Sequence, residues 1–144
     1  MVAGKNYNLQ TKSWKLASKG NYKVFGSSVA AGLTRYVTCV SVNQDYGGMV
    51  SGGSRVTFCS AAVSTLTSAG HVSASAKLVI GIGSYLASAG GAGGFEKTVI
   101  LPSGRPNSEH PLFTVAASKW FSVALGSAAG QSVACEVFAQ WYDQ

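Results

Sequence analysis

Side-chain type alternates with a period of two in nine short runs of this chain, and sustained helical periodicity is hard to find. A period of two belongs to a strand, whose successive side chains point to opposite faces. The runs are Tyr7–Leu16, Tyr22–Val29, Arg35–Val42, Arg55–Ala62, Lys77–Tyr85, Phe95–Leu101, Leu112–Ala116, Lys119–Leu125 and Ser132–Tyr142. In the third, alternation sets Val37 and Cys39 on one face and Tyr36, Thr38, Val40 and Val42 on the other, all strong strand formers apart from the cysteine. Turn-forming residues fall between runs, at Ala31-Gly32, Asp45–Gly48, Gly52–Ser54, Ala117-Ser118 and Gly126–Gly130. Ala61–Ala76 is rich in alanine, but Val63, Thr65, Thr67 and Gly70 are poor helix residues. The pattern predicts an all-β chain: an antiparallel β-sandwich or jelly roll of about eight strands.

A sandwich strand normally shows one apolar and one polar face. Two runs here are apolar on both. Val133, Cys135, Val137, Ala139 and Trp141 share one face of the last run, while Ala134, Phe138 and Tyr142 stand on the other beside Glu136 and Gln140. The run from Lys119 repeats this, with Phe121, Val123 and Leu125 opposed to Trp120 and Ala124. Only 11% of residues are charged and 47% are hydrophobic, so there is little charge with which to cover such faces. A second cover from sister subunits is expected, with Trp120, Phe138 and Tyr142 at the interface and a homotrimer as the preferred assembly.

The charge that exists is unevenly placed. Lys5, Lys12, Lys15, Lys19, Lys23 and Arg35 precede any acidic residue, whereas beyond Gln44 five basic and five acidic residues balance, so the net charge of +6 belongs to the N-terminal third. Residues 1–23 therefore read as a basic N-terminal arm or edge strand, and 24–144 as the sandwich domain. Lys5, Lys12, Trp14, Lys15, Lys19 and Lys23 are the candidates for contact with an acidic partner. Aromatic residues interleaved with lysines are also the ingredients of nucleic-acid binding. The segment lacks arginine, however, and Lys12 and Trp14 fall on one strand face with Thr11, Ser13 and Lys15 on the other, so a basic edge strand is favoured over a nucleic-acid contact.

Little in the chain suggests chemistry. Cys39, Cys59 and Cys135 show no Cys-x-x-Cys spacing, and His71 and His110 stand apart, so neither a metal site nor a catalytic residue is assigned. Cys39 and Cys135 sit in phase with valines and read as small core hydrophobes. No nucleophile motif or paired carboxylates occur, and an enzyme and a bound cofactor are not expected. The Gly-rich Ser88–Gly94 precedes a strand rather than a helix and reads as a surface loop; Pro102–Pro111, which holds all three prolines, reads as a crossover. No 18-residue apolar stretch predicts a membrane span, and the lysines at the start are not followed by the apolar core of a secretion signal.

Ala30–Asn43, Pro111–Ala117 and Val137–Asp143 resemble the strand-and-turn patterns of small β-sandwich accessory proteins of tailed-phage virions, the capsid decoration (cement) proteins and fibre-head domains. The likeness covers about a fifth of the chain. It implies a trimeric, non-enzymatic protein, made in a host cytoplasm, that sits on the outside of an icosahedral shell and ties neighbouring capsomers together. It carries over no functional residues, because these proteins share architecture without a fixed motif. The expectation is a virion structural protein that docks on the major capsid protein or another acidic surface. Alternatives are a self-assembling coat protein whose basic segment contacts nucleic acid, and a carbohydrate-binding module using Trp120, Tyr85 or Tyr46.

Overall fold

The computed structural model describes residues 8–16, 22–44, 54–62, 64, 77–82, 97–102, 111–127 and 135–144. Within them lie β1 (Gln10–Leu16), β2 (Tyr22–Val24), β3 (Arg35–Gln44), β4 (Ser54–Ala61), β5 (Lys77–Ile82), β6 (Lys97–Leu101), β7 (Phe113–Val115), β8 (Trp120–Ser127) and β9 (Cys135–Asp143). Each falls on one of the nine alternating runs. Most of Ala61–Ala76, all of Ser88–Gly94 and the interior of Pro102–Pro111 lie outside the described residues, as do both histidines.

Two antiparallel sheets form the sandwich. One has the order β1-β9-β3-β6, and β7 joins the same edge of β3: β6 meets Val40–Gln44 and β7 meets Arg35–Val37. The other has the order β2-β8-β4-β5. The pairings are nested: β1 with β9, β2 with β8, β3 with β6 and β7, β4 with β5. The chain is thus one long hairpin folded over twice between two sheets, and the β3–β9 and β4–β8 ladders close it. That winding is the jelly roll.

The core lies between the sheets. Val37, Val40 and Val42 of β3 and Val137, Ala139 and Trp141 of β9 meet Val56 and Phe58 of β4 and Phe121, Val123 and Leu125 of β8, all buried. Phe25, just past β2, stacks on Phe121 at 4.5 Å between centroids and meets the Trp141 ring edge-on at 5.8 Å. These rings bridge the sheets, and each fully buried large apolar side chain contributes about 1.5–3 kcal/mol.

One face assignment differs from strict alternation. Val37 shares its face with Val40 and Val42, not with Cys39, because the β3–β9 register slips by one residue between Val37 and Cys39. This β-bulge lets three valines an uneven distance apart all point inward. Thr38 marks it, its hydroxyl 3.2 Å from Gln140 O and 3.1 Å from Gln140 Oε1. Cys39 is consequently turned to the outer side opposite Gln140, buried but outside the inter-sheet core. Cys135, in contrast, faces the core as expected.

A buried ion pair fastens the chain's last strand. Arg35, 2% exposed, donates from Nε and Nη2 to the two Asp143 oxygens at 2.7 and 2.8 Å. Its Nη1 donates to Phe25 O and Ser27 O at 2.8 and 3.0 Å. The guanidinium also lies over the Trp141 ring, 5.4 Å from its centroid. Gly26 lies beside this pair with a φ of +74°, a backbone conformation that L side chains rarely adopt, although a Cβ there would meet Arg35 Nη1 and the Trp141 ring only at an ordinary contact distance of 3.5 Å. Reciprocal backbone bonds between Thr34 and Gln144, at 2.9 and 3.0 Å, complete the seam.

Candidate functional site

The basic residues gather where the edges of the two sheets meet. Among the described strands, β1 ends one side of the five-stranded sheet and β2 one side of the four-stranded sheet. Burial along the inward face of β1 grows from exposed Lys12 through half-buried Trp14 to fully buried Leu16, so the strand enters the sandwich obliquely. Trp14 spans the two edges: its Nε1 donates to Val24 O of β2 at 3.0 Å. Lys12 Nζ lies over the same ring at 4.7 Å from the centroid and Lys23 Nζ, from β2, at 5.2 Å. Each contact is worth about 0.5–1 kcal/mol at an exposed site.

This arrangement concentrates charge. The two ammonium groups are no more than about 10 Å apart, so their fields add at physiological salt, where the screening length is about 8 Å. Lys15 stands on the opposite face of β1, where the register sets it against Glu136 of β9. Lys12, Trp14, Lys15 and Lys23 are therefore brought to one edge, while Lys5 and Lys19 lie outside the described residues. Residues 10–16 form β1 at the end of the five-stranded sheet's strand order, and residues 22–24 form β2 of the other sheet.

The three aromatic interface candidates do not share a surface. Phe138 and Tyr142 lie on the outer face of the five-stranded sheet, since Val137, Ala139 and Trp141 face inward. Trp120 lies on the outer face of the other sheet, level with Ala61. Tyr142 is already 5% exposed within one chain, and Tyr36 stacks on it at 5.0 Å with the rings 13° from parallel. Ala124, Cys59 and Ser122 on the other outer face are buried as well, with Cys59 Sγ 3.3 Å from Ser122 Oγ. Neighbours within the chain thus cover much of what the two-sided strands seemed to leave for a partner. Ile100, Val79 and Tyr22 remain exposed.

Burial raises the Cys135 thiol from 9.0 to about 12 and moves that of Cys39 in the same direction. Both are protonated at neutral pH, as burial among apolar side chains favours the uncharged thiol. Among the described residues no three of His, Cys, Asp and Glu come together, and no helix is long and apolar enough to cross a membrane. Tyr46 and Tyr85 lie outside the described residues, and Trp120 is half-buried.

The Arg35–Asp143 pair was not evident from the sequence because 108 residues separate its members. The one available signal was that no acid precedes Asp45, so a partner for an arginine heading an apolar strand had to come from later in the chain. Searches with the sequence found no matching family model and no matching curated protein.

Proposed function

We propose that this chain is a structural protein of a virus particle: a jelly-roll unit, assembled as a homo-oligomer with a trimer preferred, that docks on the outside of an icosahedral shell and stabilises it. The observation that carries the reading is the meeting of two features in one molecule, a jelly-roll winding and a cationic edge at Lys12, Trp14, Lys15 and Lys23. An acidic surface of the major capsid protein is the partner such an edge fits. The exposed Ile100, Val79 and Tyr22 supply apolar contacts between copies. Each docked copy adds its binding free energy to the assembled shell, because a ligand that binds only the assembled state favours that state.

A second reading is favoured by the winding alone, which viral shell domains use to build the shell itself. The same lysines would then hold genome, and binding would fall steeply with salt. Electron microscopy of the purified protein, with sedimentation equilibrium, tests both. Small closed oligomers that add to acidic shells, and lose occupancy when Lys12, Lys15 and Lys23 are replaced by glutamate, support decoration. Self-assembled particles containing nucleic acid would transfer the assignment to the coat-protein reading. A monomer at micromolar concentration that binds neither shells nor nucleic acid would sink both. Point substitutions are the proper perturbation, since deleting residues 1–23 would remove β1 and the core residue Leu16.

A further inference from the structure

β1 has the properties of a strand that accepts another strand. It pairs with β9 without interruption over seven residues, Gln10 to Leu16, and no described residue pairs with its other side. Such an edge presents a row of backbone N–H and C=O groups to any extended chain. Lysines on edge strands ordinarily guard against this, because an uncharged or basic strand would have to desolvate or repel them. Opposite carboxylates reverse the effect, as opposite charges directly across a ladder attract.

The guard here has a defined geometry. Lys12 and Lys15 are three positions apart and so point to opposite faces of the sheet. The Lys12 face is reinforced by Lys23, which reaches the same Trp14 ring from β2. We propose that β1 receives an extended acidic segment of another protein as an added strand of the five-stranded sheet, with carboxylates three positions apart set against Lys12 and Lys15. The inference names the partner's chemistry and rests on the proposed function only in assigning that segment to a shell protein. A peptide fits better than nucleic acid for two reasons. The Trp14 ring already carries two ammonium groups and its N–H is bonded to Val24 O, so it offers a poor platform for a base. The outer side of the β1 backbone, with which no described residue pairs, is moreover complementary to a peptide and not to a phosphodiester chain.

The test uses the full chain and a synthetic octapeptide of threonine and valine with two glutamates three positions apart. Amide hydrogen exchange should slow in residues 10–16 on adding this peptide, and less on adding one with the glutamates two apart, which places both on one face. K12E/K15E should weaken binding by roughly tenfold or more, since like charges across a ladder repel, and should bind instead the octapeptide with lysines in place of glutamates. Circular dichroism confirms that the variant is folded. Absence of exchange protection in β1, protection only elsewhere, or equal protection by a dT20 oligonucleotide would each overturn the proposal. Shell binding by the wild-type protein without peptide protection refutes this inference and leaves the proposed function standing, whereas peptide protection without shell binding does the reverse.

Discussion

Replacing Asp143 by asparagine should reveal how much the β3–β9 seam depends on one charge. The substitution keeps the side chain's shape and one acceptor oxygen, but it leaves the Arg35 guanidinium 2% exposed beside a neutral amide. Breaking a buried ion pair from one side costs about 3–5 kcal/mol, because the surviving charge cannot return to water. Asp143 is 19% exposed in its side chain, so solvent screens part of the field, and about 2–4 kcal/mol is expected here. A chain of this length has a total stability of roughly 7–20 kcal/mol, so the loss is a large fraction. Urea denaturation reads it directly, with an unchanged m-value and a melting temperature lower by about 5–15 °C. Two protein concentrations separate the effect from any assembly. Arg35→Met should cost a similar amount, since it strands the carbonyls of Phe25 and Ser27, and the double variant should cost less than the sum. A loss below about 0.5 kcal/mol for D143N, the value of an exposed pair, would refute the claim that this bridge acts as a buried one.

Two further outcomes follow from the core. Cys135 keeps its proton up to about pH 12 when folded but ionises from 9.0 when unfolded, so its contribution is complete below pH 9 and declines as pH rises toward 12. Stability should fall there by up to about 1.4 kcal/mol per pH unit, and denaturation of Cys135→Ala between pH 8 and 10.5 should show a shallower slope; an unaltered slope would reject the assignment. Deleting Thr38 removes the bulge residue and leaves Val37, Cys39, Val40, Ser41 and Val42 in plain alternation against Trp141, Gln140, Ala139, Phe138 and Val137, so the three valines still point inward. The deletion variant should therefore keep a cooperative unfolding transition, and Thr38→Ala, which loses only the hydroxyl contact, should cost about 1 kcal/mol; loss of cooperativity on deletion would show that the fold needs the bulge itself and not only inward-facing valines.

The alternation of side chains determined a great deal by itself: nine strands, the inward faces of β8 and β9, and the lysines on either side of β1. These are local properties, because the pleat repeats every two residues whatever the strand pairs with. The tertiary structure decided what depends on partners far away in sequence. It set the nested pairing order and placed the bulge that moved Cys39 out of the core. Tyr36 proved to cover Tyr142, so an apolar second face need not mean a missing subunit. The same holds for charge. Arg35 counted with the basic N-terminal third until Asp143 neutralised it, while Lys12 and Lys23, on strands of different sheets, became one site only because Trp14 joins the two edges. Hydrogen-bond ladders and packing between residues far apart in sequence, not local preference, fix such relations, and a strand pattern carries no record of them.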